Sequence, residues 1–187
     1  MRRPAKCAVL LCLALFALAC HAAEPPAASL ELQVKAAFVY NFAKFVEWPA
    51  AGTSGVDPLT FCVIGAEPLY QLLEQSLHGK TIAGRPVAAR QTDRGPGDPA
   101  CNVVFVGGDR EHPAETAAAA AASGALTVGD SSDFTERGGM IQLIKVENKF
   151  RFAINVEAVN RAGLHISAKL LQLSGKAPTA PAGRSNP

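Results

Sequence analysis

The sequence predicts an open α/β domain with a largely parallel sheet, and three observations carry that prediction. Short apolar runs rich in strand formers recur at 59–65, 101–107 and 125–129. Stretches with helical spacing of leucine or alanine separate them, at about 68–77 and 113–122. The strand runs are nearly continuous in apolar character rather than alternating, as strands covered on both faces are. Strand, helix, strand, helix, strand in that order is the pattern of a parallel sheet flanked by helices.

Read from the start, the chain opens with Arg2, Arg3 and Lys6, followed by a run without charge from Cys7 to Cys20 and by Ala22 and Ala23. Basic start, short apolar stretch and small-residue site make residues 1–23 a secretory signal peptide. The fourteen residues from Cys7 to Cys20 rise only about 21 Å as a helix, short of a hydrocarbon core of roughly 30 Å. Ala17-Leu18-Ala19-Cys20 faintly resembles a lipoprotein processing site, which makes lipid anchoring at Cys20 an alternative fate.

Residues 24–29, rich in Pro and Ala, read as a flexible lead-in to a domain over 30–174. Leu30, Val34, Ala37, Phe38, Phe42, Phe45 and Val46 follow helical spacing, with Ser29 as N-cap and Pro49 as the stop after Trp48. The aromatic stripe Phe38, Phe42 and Phe45 faces the core; Glu31, Lys35, Asn41 and Lys44 face away. After a loop at 50–58 comes the first buried strand, 59–65. Pro68 then opens a helix that Gly79 ends. Thr81–Gly84 is a connection or short strand, Pro86–Gln91 a strand, and Asp93–Pro99 a loop. The strand at 101–107, the Ala-rich helix at 113–122 and the strand at 125–129 follow.

Beyond Asp130 the rhythm changes to a C-terminal hairpin and short helices. Gly138-Gly139 makes a turn, and Met140–Val146 pairs with Lys149–Ile154 through Glu147-Asn148. In the second strand Phe150, Phe152 and Ile154 face one way, Lys149 and Arg151 the other. Asn155 caps a short helix closed by Gly163, and Ser167 caps a last one with Leu170, Leu171 and Leu173. Residues 175–187 have no apolar periodicity and read as a disordered tail.

Removing the signal also removes three cations, leaving 15 Lys+Arg against 16 Asp+Glu and a net charge of −1. A nucleic-acid partner, which wants a basic patch, loses its support. Of five cysteines only Cys62 and Cys101 remain. In an oxidising compartment a disulfide is the natural reading, closing a loop of about 40 residues worth roughly 4 kcal/mol. Two buried free thiols are the alternative.

Nothing in the residues demands catalysis, a metal or a cofactor. His21, His78, His112 and His165 show no paired ligand spacing. Neither a phosphate loop nor a Gly-x-Ser-x-Gly elbow occurs. Gly65, Gly107, Gly108 and Asp109 follow strands where open α/β sheets bind ligands, so a small-ligand edge stays open beside the plainer reading of tight turns. Asp130, Asp133 and Glu136, with Asp109, are either an acidic group at that edge or solvated loop carboxylates. Arg151, Asn155, Arg161 and Lys169 are polar residues among apolar periodic positions. They form either a protein-binding surface, in which Arg is enriched, or an ordinary cap with an exposed cationic face.

Three longer blocks carry a resemblance. Val34-Lys-Ala-Ala-Phe-Val-Tyr-Asn-Phe-Ala-Lys-Phe-Val-Glu-Trp-Pro49 resembles the opening helix of the YfiR family of bacterial periplasmic regulators. Gly138-Gly-Met-Ile with Arg151-Phe-Ala-Ile-Asn155 resembles its second block, and Arg161-Ala-Gly-Leu-His-Ile-Ser-Ala-Lys-Leu-Leu171 its closing block. The resemblance implies a non-catalytic, homodimeric α/β protein that binds the periplasmic domain of an inner-membrane diguanylate cyclase. It thereby restrains cyclic di-GMP production and biofilm formation. It also implies an outer-membrane peptidoglycan-binding lipoprotein that sequesters the regulator. Cys62 and Cys101 stand where one family disulfide is expected. A second cysteine pair expected in the 140–151 region is missing, with Ile144 and Arg151 in that stretch instead.

Overall fold

The computed structural model describes residues 27–48, 57–92, 101–108 and 113–174. The signal at 1–23 with Cys20, most of the 50–58 loop, the 93–99 loop, Asp109, His112 and the tail at 175–187 lie outside the described residues. Among the described residues five helices and nine strands follow in order: α1 (Ala27–Lys44), β1 (Val46–Glu47), β2 (Leu59–Ile64), α2 (Glu67–Leu77), β3 (Thr81–Ile82), β4 (Arg85–Gln91) and β5 (Val103–Val106). Then come α3 (Pro113–Ala122), β6 (Leu126–Gly129), β7 (Ile141–Val146), β8 (Lys149–Ile154), α4 (Val156–Arg161), β9 (His165–Ile166) and α5 (Ala168–Leu173).

Seven strands form one sheet in the order β3-β4-β2-β5-β6-β7-β8. The five inner strands are parallel; β3 and β8 run antiparallel at the two edges. This is the expected α/β class, closed at each side by a hairpin. Strand residues alternate between two cores. Leu59, Phe61, Val63, Phe105, Val128, Ile141 and Leu143 pack with α1, α2 and α4. Cys62, Ile64, Val104 and Val106 pack with Ala117 and Ala120 of α3 and with Phe134.

The first helix departs from expectation at both ends. It begins at Ala27, so Ser29 lies inside it rather than at its cap. It ends at Lys44, not at Trp48. The Phe45 N–H bonds back to the Phe42 carbonyl at 3.0 Å, and Val46–Glu47 then pairs with His165–Ile166 in a separate two-stranded sheet. Its buried face is Ala36, Val39, Phe42, Ala43 and the following Val46, while Phe38 and Phe45 are only partly covered. Ala36 and Ala43 are buried where this face meets the core. The larger rings flank that contact: Phe38 and Phe42 sit 6.0 and 4.9 Å from the Phe152 ring.

The cysteines are bonded. Cys62 in β2 joins Cys101, just before β5, with Cα atoms 5.7 Å apart. That geometry suits a disulfide, and the free-thiol alternative falls. The loop between β6 and β7 is held by an aromatic plug. Phe134 is fully buried, and a Cβ at either Gly129 or Gly139 would overlap its ring.

Candidate functional site

The strand order puts β4 on one side of β2 and β5 on the other, so the direction of sheet growth reverses between β2 and β5. In open α/β sheets that reversal opens a crevice at the carboxyl ends, where ligands sit. Gly65 and Gly107 meet there, but against each other. The Gly107 N–H donates to the Ile64 carbonyl at 2.9 Å, and a Cβ on Gly107 would lie 2.5 Å from the Gly65 carbonyl oxygen. Close backbone packing is thus what Gly107 serves, while Gly65 supplies the left-handed backbone after β2, at φ 69°.

Gly108 offers its N–H at the same edge, and the chain supplies the acceptor itself: Asp130 Oδ1, 2.7 Å away. The other Asp130 oxygen lies 2.9 Å from Lys35 Nζ. Lys35 also pairs with Glu31 at 3.1 Å, and Glu31 in turn takes Lys145 of β7. An ion-pair chain therefore ties α1 to the crevice on one side and to the hairpin on the other. Hydrogen bonds from Lys145 and then Lys35 hold the Glu31 carboxyl below the ordinary carboxylate range. Burial pulls the Lys35 ammonium down, yet its bonds to Asp130 and Glu31 outweigh that and leave it raised. Asp133 pairs with Arg137 at 3.0 Å. Asp130 and Asp133 are thus each matched with a cation.

The C-terminal candidates sit on different elements and share no hydrogen bond or ion pair with one another. Asn155 is the N-cap of α4. Its Oδ1 accepts from the Ala158 N–H at 2.9 Å, and its Nδ2 donates to the Thr135 carbonyl at 2.9 Å. Both ends of that amide are used inside the fold. Arg161 pairs with Glu157 at 2.6 Å, its side chain 60% exposed. It lines an open cleft of about 380 Å³ between α3 and α4, beside Ala118, Ala121, Ala162 and Arg137. Lys169 lies 6.0 Å over the Phe45 ring, at the outer range of a cation–π contact.

Arg151 stands apart, exposed on β8 at the edge of the sheet. Glu147 and Asn148 both have positive φ, 46° and 62°, as a two-residue type I′ turn requires. Gln142 is the last β7 residue paired with β6. Residues 143–152 therefore form a two-stranded arm that runs past the end of β6. Phe38 backs one face of the arm through Phe150 and Phe152, at 6.3 and 6.0 Å. The other face carries Ile144, Val146, Lys149 and Arg151. Ile144 and Arg151 are direct cross-strand partners, in the stretch where the resemblance anticipates a cysteine pair.

Sequence reading missed the Lys35–Asp130 contact, which spans 95 residues. The only local trace was Glu31 four residues before Lys35, an i,i+4 pair. The β1–β9 pair left no trace, since two-residue strands have no period to read.

Comparison with known proteins now adds to this geometry. The profile of the YfiR/HmsC-like family matches residues 32–175. None of the curated proteins compared with the chain matches it. Among solved structures, a conserved domain protein from Vibrio cholerae O1 biovar El Tor is similar, with a TM-score of 0.51 and 13% identity. The match covers 76% of this chain and 58% of that one. At that identity the likeness speaks to the fold.

Proposed function

The chain belongs to the YfiR/HmsC-like family, and from that premise we propose that it is a periplasmic protein that binds the periplasmic sensor domain of an inner-membrane diguanylate cyclase and holds the enzyme inactive. Members of this family are generally periplasmic regulators of diguanylate cyclases, regulatory rather than catalytic. The observation that carries the reading is the extent of the match, from the first helix through the last. No described helix is long and apolar enough to cross a membrane.

The mechanism is a population shift. The regulator binds the inactive sensor conformation more tightly than the active one. Moving a cyclase from almost fully active to almost fully inactive takes a preference of about 10⁴-fold. An outer-membrane peptidoglycan-binding lipoprotein that captures the regulator reverses the shift, and a homodimer of the chain presents two such surfaces. Arg151, Arg161 and Lys169 are the candidate contacts; Asn155 contributes by fixing the junction of β8 and α4.

The test is addition of the exported protein to inner membranes from its own source cells, with cyclic di-GMP synthesis measured. The expected result is saturable inhibition, with a diguanylate cyclase retained on the immobilised protein. Unchanged synthesis at saturating protein overturns the reading. A saturating thermal shift with a metabolite would then favour ligand binding instead.

A further inference from the structure

We propose that the outer edge of β8 is a docking strand that takes up an extended acidic segment of a protein partner by strand addition. The proposal deepens the regulatory reading and rests on it for the partner's identity; the strand geometry stands independently. β8 pairs with β7 and with no other strand among the described residues.

The register decides which backbone groups are free. The Asn155 N–H donates to the Met140 carbonyl at 2.8 Å. Residues 140 and 155 are therefore a hydrogen-bonded pair, and such pairs recur at every second residue of an antiparallel ladder. Ala153, Arg151 and Lys149 turn their N–H and C=O groups to β7. Phe150 and Phe152 turn theirs outward, as the ladder of an incoming strand requires. Both are pinned from behind by Phe38, so the edge is presented on a packed support.

Charge selects the occupant. Lys35, Lys145, Arg137 and Arg161 each have a carboxylate partner. Lys149 and Arg151 are exposed and have no ion pair among the described residues. They lie on the same face as exposed Val146 and half-buried Ile144. Glu147, at the turn, is the nearby acid in sequence. A strand alternating acidic and apolar side chains would meet these cations across the new ladder, where opposite charges stabilise. A second copy of β8 is disfavoured. Two-fold pairing of the strand with itself brings Lys149 and Arg151 opposite or diagonal to their own counterparts, and like charges so placed destabilise.

The test is amide hydrogen exchange of the exported protein, alone and with a short capped peptide alternating glutamate and valine. Its lysine-for-glutamate counterpart is the control. The acidic peptide should slow exchange at Phe150 and Phe152 by about tenfold or more, leaving Arg151 and Ala153, already bonded to β7, little changed. Arg151→Glu should abolish the effect while the rest of the protein exchanges as before. No protection, or equal protection by the lysine peptide, makes Lys149 and Arg151 mere guards against edge pairing and overturns the proposal. Protection without peptide that grows with protein concentration assigns the edge to a second copy and also overturns it. Membranes separate the two readings. If wild type and Arg151→Glu inhibit the cyclase equally, the docking strand fails and the regulator stands. If neither inhibits but the acidic peptide still protects Phe152, the docking strand stands and the regulator fails.

Discussion

The crevice between β2 and β5 and the arm formed by β7 and β8 are built from the same kind of material, strand ends and tight turns, yet they treat their polar groups in opposite ways. At the crevice Gly107 is packed on Gly65 and the Gly108 N–H is taken by Asp130, itself matched with Lys35. On the arm, the Phe150 and Phe152 backbone groups and the Lys149 and Arg151 cations face outward. The crevice has the glycines and topology of a ligand site, but among the described residues the Gly107 and Gly108 N–H groups are taken within the fold. The arm has no ligand motif but keeps its bonding capacity for something else. Glycine-rich strand ends locate where a ligand fits in principle; unspent donors and charges locate where one is awaited.

Substitutions can break or sharpen this contrast. Phe134→Ala empties the plug beside the crevice and should cost about 3–5 kcal/mol in urea unfolding, as buried phenylalanines do. A loss under 1 kcal/mol would mean the loop between β6 and β7 is not fixed by packing. Asp130→Ala should cost about 1–3 kcal/mol, the penalty for leaving the partners of a partly buried carboxylate unmatched. Unchanged stability with new anion binding would show the crevice to be a ligand seat after all. Asn155→Ala removes a helix cap and the tie to Thr135 and should cost about 1–2 kcal/mol. If affinity for the cyclase stays level, Asn155 supports the docking face without belonging to it.

Glu31→Gln tests the link between the two regions through pH. Because the folded state lowers this carboxyl from its ordinary 4.5, its contribution is complete above that value and is lost as pH falls through the lowered one. The wild-type advantage over Glu31→Gln should therefore be present at neutral pH and vanish in acid. With Lys145 about half exposed, the difference should stay under about 1 kcal/mol. An advantage that grew on acidification would refute the linkage. Arg151→Ala comes last, with a stability change within about 0.5 kcal/mol. A larger loss would make the arm structural and erase the contrast.

Much of the fold was legible because its elements follow local rules. Leu69, Leu73 and Leu77 mark one helix face, Ser167 and Asn155 cap as their side chains dictate, and Glu147-Asn148 closes the hairpin. The aromatic stripe of α1 was legible, since Phe42 is buried and Phe38 and Phe45 pack against the same core, whereas Ala36 and Ala43 are buried beside it without a bulk that marks them. Phe134 gave no signal, since its site is created by two glycines on either side of it in sequence, Gly129 and Gly139, that both close on its ring in space. The candidate site was legible in part. Arg151 was marked from its place among apolar residues. The internal use of Gly108 and Asp130 depends on a contact with Lys35 far back in the chain, which no spacing encodes.

The Cys62–Cys101 bond has a consequence for survival among proteases. One backbone cut anywhere between these residues, 39 apart, would not release a piece. The two polypeptides would remain covalently joined through sulfur, heavier by a single water and separable only after reduction. A nicked molecule of this kind keeps β2 attached to the rest of its sheet, so damage in that span is repaired in effect, if not in fact, by a bond formed before it occurred.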